Sequence, residues 1–192
     1  RRELSAAIYE DANWLNHLVE NLLSITRMEN GQVNLRIQPE LIQDIFDDVL
    51  AHLDHDAARH TIVTNVADDL LMADMDAQLI EQVLVNLINN AINYTSKEDK
   101  QVFLRQVNQP DCVRIEVRDT GDGIEEDKIK LIFDKYYRSE NHKREVVGTG
   151  LGLSIVKAIL KLHNYDYGVN SKLGEGSTFW FAIRTDQQPS PE

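Results

Sequence analysis

The sequence contains a single cysteine, no long apolar run and fewer basic than acidic residues. Because Cys112 is the only cysteine in 192 residues, a disulfide within the chain is impossible and a cysteine-ligated metal site is not expected. No apolar run approaches the roughly 18 residues that a membrane-spanning helix requires. The 20 Lys and Arg against 32 Asp and Glu give a formal charge of −12 at pH 7, so no nucleic acid is expected as a partner. An acidic protein that binds an anion must concentrate its positive charge locally.

The N-terminal residues carry the apolar repeat of a helix that packs in a bundle. Apolar side chains recur there at spacings of four and three. They are Ile8, Ala12, Leu15, Val19 and Leu22. We predict one helix over about residues 3–30, with Gly31 as its C-cap. Because the sequence opens on Arg1 within this repeat and without Met, we expect it to be a piece of a longer chain.

Beyond Gly31 the pattern changes to shorter helices and strands. Alternation predicts strands over residues 33–37, 61–66, 70–73, 101–108, 112–119, 167–171 and 178–184. Helical periodicity predicts helices over about 39–53, 77–94, 125–133 and 150–163, and Asp74 or Asp76 can cap the second of these. Residues 134–147 lack periodicity and are predicted to form a mobile loop. We therefore expect an α+β fold, with helices on one face of a mixed, mainly antiparallel sheet.

Three asparagines lie on one stripe of the helix predicted over residues 77–94. Asn86, Asn90 and Asn93 stand at positions i, i+4 and i+7, beside the apolar face of the helix. Asparagine is a mediocre helix former. Its carboxamide offers an oxygen to a hard cation such as Mg²⁺ and an N–H group to a phosphate oxygen. A solvated polar face would explain the same stripe if it stood alone.

Two glycine-containing segments flank the predicted loop. Asp119 ends a strand and is followed by Gly121 and Gly123, a pattern that an ordinary turn also explains. An EF-hand loop does not fit, because Gly121 would occupy a ligand position. Residues 148–153 read Gly-Thr-Gly-Leu-Gly-Leu and lead into a helix whose N-terminus can bind an anion. A dinucleotide-binding fingerprint would need glycine in place of Leu153, and a P-loop would need Lys followed by Ser or Thr.

Positive charge is concentrated between these two segments. The loop holds four cations in a chain that is otherwise acidic, namely Lys135, Arg138, Lys143 and Arg144. Cations beside a glycine-rich anion site suit a polyphosphate, although basic residues on a loop are commonplace. A last glycine-containing segment at residues 174–178 would by itself indicate only a tight hairpin.

The order and spacing of these segments resemble the catalytic domain of bacterial two-component sensor histidine kinases. Residues 86–94, Asn-Leu-Ile-Asn-Asn-Ala-Ile-Asn-Tyr, resemble the N box of that family. Residues 119–123 resemble its G1 box, 132–138 its F box, 148–153 its G2 box and 174–178 a G3 element. The resemblance covers about residues 70–184. It implies the Bergerat ATP-binding fold, an α/β sandwich shared with gyrase-type ATPases, Hsp90 and MutL.

The resemblance also implies ATP and Mg²⁺ as cofactors and suggests a role for each residue. It makes Asn90 the Mg²⁺ ligand and Asp119 the adenine anchor, and it makes residues 148–153 the hinge of a lid. Asn86, Asn90 and Arg138 are the catalytic candidates. Many family members have Lys where this chain has Asn93, so Arg138 or another lid cation is expected to supply that phosphate contact. The implied ATP-binding residues are Asn86, Asn90, Asn93, Tyr94, Asp119, Gly121, Gly123, Ile124, Tyr136, Tyr137, Arg138, Lys143, Arg144, Gly148, Thr149, Gly150, Leu151, Gly152, Leu153 and Thr178.

The N-terminal helix is similar to the second helix of the family's dimerisation and phosphotransfer domain. Its sequence is most similar to that of the potassium-responsive Kdp-type sensors. We therefore expect residues 1–31 to belong to that domain, 32–185 to form the catalytic domain and 186–192 to be a disordered tail. The first helix, which carries the phosphorylated histidine, is absent, and His17 is interpreted as a surface or bundle residue. The implied partners are that histidine-bearing helix, within a homodimer, and the receiver domain of a response regulator. The implied location is the cytoplasmic side of a membrane-anchored sensor.

Three alternatives compete with a histidine kinase. An ATP hydrolase of the same fold resembles this chain but has a glutamate base one helical turn before the Mg²⁺ asparagine, where this chain has Asn86. A nucleotide-binding or dimerisation module without activity would keep the fold but need not keep Asn90, Asp119 and the glycines. A serine kinase of the anti-sigma type shares the ATP fold, but the bundle helix that precedes Gly31 in this chain is unlike that type.

Overall fold

The computed structural model of the chain describes residues 12, 15, 19, 21–28, 30–53, 61–65, 71–94, 101–135 and 150–184. The N-terminal helix, α1, is continuous over residues 21–28, and residues 12, 15 and 19 are also helical. The other helices are α2 (Ile42–His52), α3 (Ala77–Asn93) and α4 (Gly152–Leu162). The strands are β1 (Gln38–Leu41), β2 (Thr61–Asn65), β3 (Met72–Met75), β4 (Gln101–Asn108), β5 (Cys112–Asp119), β6 (Asp166–Lys172) and β7 (Gly176–Arg184).

Five strands form the main sheet in the order β2-β4-β5-β7-β6. Only the pair of β2 and β4 is parallel, and the other three pairs are antiparallel. Alternate residues of β5 and β7 are buried on one face, as the period of two in the sequence predicts. The expected α+β fold with a mixed, mainly antiparallel sheet is therefore confirmed. β1 and β3 pair separately as a small antiparallel sheet.

The helices lie against the buried face of the main sheet. α3 contacts β4 and β5, α4 contacts α3 and β6, and α2 packs on α3. α3 begins with Asp76 as its N-cap, whose carboxylate accepts a hydrogen bond from the Leu79 amide. The core is formed by side chains such as Leu84, Ile88 and Phe181. No helix within the described ranges is long and apolar enough to span a bilayer.

One sequence-based element assignment near the N-terminus is wrong, and another is right except for its start. Residues 33–37 form no strand, and the predicted helix over 39–53 begins only at Ile42. The backbone of 38–41 instead pairs with β3, with Leu41 opposite Met72, and the Ile42 amide donates to the Leu71 carbonyl. Pro39 is tolerated there because β1 is an edge strand. The alternation of residues 33–37 was misleading because no described strand pairs with it.

The helix predicted over residues 125–133 is also wrong, because these residues form successive turns. The Lys128 amide donates to the Glu125 carbonyl and the Leu131 amide to the Lys128 carbonyl, a spacing of three. Among the described backbone bonds of this segment, only that from the Ile132 amide to Lys128 has the spacing of an α-helix. An apolar pattern this short did not distinguish linked turns from a helix. Strand β3 also lies two residues later than predicted, at Met72–Met75.

Helix α1 has two different apolar faces. Ile25 and Met28 are buried and belong to the same core cluster as the helices and strands of the main layer. Leu15, Val19 and Leu22 are exposed, at 54%, 45% and 38% of their surface. The described residues of the predicted bundle seam are therefore exposed, while the end of α1 is packed against the rest of the fold.

Candidate functional site

Asp119 is a buried carboxylate at the end of β5. Its side chain is 6% exposed, and its Oδ1 accepts hydrogen bonds from the backbone amides of Gly121 at 2.8 Å and Ser177 at 3.1 Å. Burial raises the pKa of this carboxyl above its ordinary value of 3.8, and the two amide hydrogen bonds oppose that rise. No described residue donates a hydrogen bond to Oδ2. Oδ2 is therefore the oxygen that can accept a donor from a ligand.

The glycine segments at 121–123 and 174–176 are held together by the β6–β7 hairpin. The Ile124 amide donates to Ser171 Oγ at 2.8 Å, and the Gly174 amide donates to the Asp122 carbonyl at 2.7 Å. Gly123 has a φ of +73° and lies so close to Lys172 that a Cβ would overlap the Lys172 carbonyl. Two segments that are about 50 residues apart in the sequence therefore form one loop platform around Asp119.

Gly176 makes the closest approach to the aspartate strand. Its φ is +97°, and a Cβ at this position would overlap the backbone carbonyl of Asp119. Ser171 Oγ lies 2.9 Å from Ser177 Oγ and donates to the Gly176 carbonyl at 3.1 Å. Glycine at 176 lets β7 lie directly against the end of β5.

The asparagine stripe meets the start of α4. Asn86 Nδ2 donates to the Gln82 carbonyl at 2.9 Å, which leaves Oδ1 directed towards Gly152, where a Cβ would lie 3.2 Å from it. Gly150 has a φ of +69°, and Ser154 Oγ donates to the Leu151 carbonyl at 2.8 Å. Leu151 is fully buried and Leu153 half-buried. Asn86, the first asparagine of the stripe, and the described residues 150–153 of the glycine segment are therefore neighbours.

The remaining residues of the stripe lie further along α3. Asn90 is half-buried, Asn93 is exposed, and Tyr94 is a half-buried C-cap whose amide donates to the Asn90 carbonyl at 3.0 Å. Residues 95–100 connect this end of α3 to β4, whose Val102 is opposite Asp119. The C-terminal end of α3 and Asp119 therefore lie at the same end of the sheet.

The topology brings the start of α4 to this end as well. α4 ends three residues before β6, and β6 runs from Asp166 to Lys172, opposite Gly176. Because Gly176 and Ser177 contact Asp119, the start of α4 is at the aspartate end and its C-terminus is at the far end. The C-terminal end of β5 at Asp119, the end of α3 and the start of α4 together form one candidate site.

Several predicted site residues lie outside the described part of the chain. They are Tyr136, Tyr137, Arg138, Lys143, Arg144, Gly148 and Thr149, so the predicted loop 134–147 is described only at residues 134 and 135. Just before it, Phe133 packs edge-on against Tyr167 and Phe179, at centroid distances of 5.4 and 6.2 Å.

Sequence reasoning missed Ser171 and Ser177. The alternation of β7 puts Thr178, the residue that was predicted, on the opposite face of the strand from Ser177. Only the register that aligns Ser171 with Ser177 shows that both serines support the loop after Asp119. The sequence signal that was available is the Ser-Thr pair that follows Gly176, of which only Thr178 was selected; Thr178 as an ATP contact stays a prediction.

Comparison with known proteins identifies the family. The histidine kinase-, DNA gyrase B-, and HSP90-like ATPases match residues 75–187, which is more than half of the chain. The chain belongs to this family. The match begins at the end of β3 and includes every described residue of the candidate site.

Relatives and solved structures extend the match to more than 90% of the chain. The sensor protein KdpD of Clostridium acetobutylicum is 33% identical over 95% of this chain and 20% of its own length. ShkA, solved at full length in complex with AMPPNP, is 27% identical with a TM-score of 0.83, over 95% of this chain and 38% of that one. The histidine kinase ThkA, solved in complex with the response regulator protein TrrA, is 21% identical with a TM-score of 0.73, over 93% and 49%.

This chain therefore has the Bergerat fold expected from the sequence, and its resemblance to sensor histidine kinases is confirmed. The chain spans only 20% to 37% of the length of the first curated relatives that it matches. The Kdp-type sensor is one of several kinds of sensor among them.

Proposed function

We propose that this chain is the ATP-binding catalytic part of a sensor histidine kinase. It would transfer the γ-phosphate of ATP to a histidine on a helix outside this sequence, for onward transfer to an aspartate of a response regulator. The observation that carries the proposal is the buried Asp119 carboxylate, whose Oδ1 is bound by two backbone amides. Family membership over residues 75–187 supports ATP as the ligand.

Asp119 would select adenine. Its Oδ2 would accept a hydrogen bond from the exocyclic amine, and its burial strengthens that bond by excluding water. Gly121 and Gly123 keep the adjacent backbone free of side chains, so a flat base can approach. A ligand that presents a carbonyl instead of an amine would meet repulsion from the carboxylate, which favours adenine over guanine.

The asparagine stripe and the start of α4 would bind the triphosphate. The oxygen of the half-buried Asn90 carboxamide is a suitable ligand for Mg²⁺. When bound, Mg²⁺ supplies neutralisation of the phosphate charge. Backbone amides at the N-terminus of α4, next to Asn86 and after Gly150, would donate hydrogen bonds to the phosphate oxygens. Arg138, Lys143 and Arg144 would add positive charge from the loop.

Kinase chemistry is favoured over hydrolysis by the residue at position 86. A hydrolase of this fold needs a carboxylate there to take a proton from water, and the carboxamide of Asn86 cannot do so. Its Nδ2 donates to the Gln82 carbonyl instead. With a histidine nitrogen as the nucleophile, the site needs only positioning and charge neutralisation.

The partners follow from the exposed face of α1. The uncovered seam at Leu15, Val19 and Leu22 would pack against the histidine-bearing helix within a homodimer. The response regulator is proposed because ThkA is solved with the response regulator protein TrrA. We further propose that residues 1–31 belong to the dimerisation domain and 32–185 to the catalytic domain. The parent protein would be a membrane-anchored sensor with this part in the cytoplasm, and potassium signalling is the pathway that the Kdp-type relative suggests.

The proposal is tested by the affinity for ATP of an Asp119→Asn variant. The asparagine keeps an Oδ1 that can accept from Gly121 and Ser177, but it removes the charged acceptor for adenine. Affinity should fall more than about tenfold, because a hydrogen bond to a charged group contributes about 1.5–3 kcal/mol. Titration calorimetry with a non-hydrolysable analogue and Mg²⁺ measures the effect.

A matched control is Asp122→Asn, which removes the same charge three residues further along, at a half-buried position. It should stay within about twofold of the parent, since a half-exposed charge contributes little. Equal affinity of Asp119→Asn and the parent would contradict the assignment of the adenine anchor.

A further inference from the structure

Asp76 connects three parts of the chain at the end of the fold opposite the candidate nucleotide site. Its side chain is 8% exposed. Oδ2 accepts a hydrogen bond of 2.9 Å from the backbone amide of Arg36, and Oδ1 accepts one of 3.4 Å from the amide of Leu79 in the first turn of α3. The same carboxylate therefore caps α3 and binds the linker at residues 32–37, which follows α1.

His163 holds Asp76 from the other side. Its Nε2 lies 3.2 Å from the Asp76 amide, and its Nδ1 lies 2.9 Å from the Ile159 carbonyl of α4. A carbonyl can only accept, so Nδ1 carries the proton and Nε2 accepts from the Asp76 amide. The ring, which is 9% exposed, joins the C-terminus of α4 to the N-terminus of α3, and it can do so only while neutral.

The junction is in a position to couple the linker to the nucleotide site. α3 carries Asn86 and Asn90 towards its C-terminus, and α4 begins at Gly152 beside Asn86. The two helices are thus tied at one end by Asp76 and His163, and at the other end they would be tied by a bound nucleotide. A change in the angle between the helices would be felt at both ends, because packed helices move as rigid bodies.

We propose that Asp76 and His163 are positioning residues that fix the linker at residues 32–37 to α3 and α4, so that the placement of α1 and the binding of nucleotide are coupled. The inference rests on the proposed function, because it assigns nucleotide to the far ends of these helices. Coupling of this kind is reciprocal. Nucleotide that orders the helices would strengthen the contacts of Asp76 with Arg36 and His163, which we call the linker anchor, and a weaker linker anchor would lower the affinity for nucleotide.

Protonation of His163 provides a way to release the anchor without a mutation. Burial lowers the pKa of the ring, while the hydrogen bond to Ile159 and the charge of Asp76 act in the opposite direction. The titratable groups that face the ring are Asp76 and Tyr165, whose ring centroid lies 5.1 Å away. Tyr165 does not titrate in the same range, because burial raises its pKa to about 12. Protonation puts a hydrogen on Nε2 and removes the acceptor for the Asp76 amide.

The first test is hydrogen exchange of the Arg36 and Asp76 amides in the nucleotide-free protein. Between about pH 7.5 and pH 5, protection corrected for the intrinsic rate should fall about tenfold at Asp76 and should also fall at Arg36. In His163→Gln, which keeps a neutral acceptor near the position of Nε2, this dependence should disappear. Tyr165→Phe is the matched control: it removes only the hydrogen bond to the Asp74 carbonyl, and it should retain the dependence. If protection in the parent did not change with pH, the proposed role of His163 in holding Asp76 and the linker would be contradicted.

The second test adds a non-hydrolysable ATP analogue and Mg²⁺ at neutral pH. Protection of the Arg36 amide should rise several-fold. His163→Leu should reduce this rise and should lower the affinity for the analogue by the same factor. A purely structural junction would leave Arg36 unchanged on binding, and that result would overturn the coupling. If the analogue did not bind the parent, the proposed function would fail, while the pH experiment would still decide whether the anchor exists.

Discussion

Asp119, which we propose as the residue that binds adenine, lies where its charge is unfavourable for stability. Burial makes its ionised form unfavourable, and two backbone amides, with a smaller contribution from the charge of Arg118, offset only part of that cost. Residues that serve a ligand are often unfavourable to the fold for this reason. The neutral, nearly isosteric asparagine should relieve the cost while keeping an acceptor for both amides.

We therefore predict that Asp119→Asn is at least as stable as the parent at pH 7, although it loses affinity for ATP. The pKa of Asp119 is higher in the folded state than the ordinary 3.8. The folded parent thus binds more protons between these two values and loses stability as the pH rises through them. The advantage of the variant should be absent below about pH 3.8 and complete above the folded pKa. Urea denaturation across this range measures it, and a variant that is less stable than the parent at pH 7 would count against the argument.

For individual residues, the sequence indicated the candidate ligand-binding residues but not the residues that support them in the structure. Asp119 was recognisable because a charged residue ends a strand and glycines follow it. Ser177 and Ser171 were not, because their roles depend on the register of β6 and β7 and on contact with a loop about 50 residues away. His163 had no motif around it, and its partner Asp76 lies 87 residues earlier.

Among the loops and strands, the β6–β7 hairpin supplies a matched pair of glycines. Gly174 and Gly176 both have positive φ, at +82° and +97°. A Cβ at Gly174 would meet nothing within 4 Å, whereas one at Gly176 would overlap the Asp119 carbonyl. Gly174→Ala should therefore cost about 1–2 kcal/mol, from backbone strain alone.

Gly176→Ala should cost about 3 kcal/mol or more, because displacement of the strand adds to the strain. The substitution should also lower the affinity for ATP, because a shift of β7 moves the Ser177 amide away from Asp119. Thermal or urea denaturation and a nucleotide titration on both variants provide the comparison. Equal losses for the two alanines would show that the close approach at Gly176 has no energetic weight.

Helix α1 supplies a second matched pair, between its buried and its exposed face. Ile25→Ala should destabilise the fold by about 2–5 kcal/mol, because it leaves a cavity in the common core. Val19→Lys, on the exposed seam, should leave the free energy of unfolding nearly unchanged and reduce self-association. Chemical denaturation and analytical ultracentrifugation separate the two effects. An Ile25→Ala variant as stable as Val19→Lys would mean that α1 does not pack on the catalytic core.

Elements with a long, regular pattern were predicted to the residue, whereas two short patterns were misinterpreted. β4 and β5 match their predicted bounds at Gln101–Asn108 and Cys112–Asp119, because strict alternation continues over eight residues in each. Residues 33–37 alternate as well, but a strand needs a partner, and β3 pairs with 38–41 instead. The turns at 125–133 contain enough apolar residues to resemble a helix, yet their bonds have a spacing of three.

For the whole molecule, we propose that this chain supplies the ATP-binding half of a phosphoryl-transfer reaction. Asp119, the asparagine stripe and the start of α4 would bind and orient ATP, and the positive charge of the loop would offset the phosphates. We expect the histidine that receives the phosphate to lie outside this sequence, and no carboxylate at position 86 allows water to replace it. Such a chain should bind ATP and hydrolyse it very slowly.

Phosphoryl transfer can be measured by incubating the chain with γ-labelled ATP and Mg²⁺, with and without a separate polypeptide that carries the histidine helix. Alone, the chain should acquire negligible label despite its six histidines. With the partner, label should appear on the partner, in an acid-labile form typical of phosphohistidine. Asp119→Asn should abolish the transfer and Asp122→Asn should preserve it. Stable labelling of this chain by itself, or rapid release of phosphate without a partner, would contradict the account.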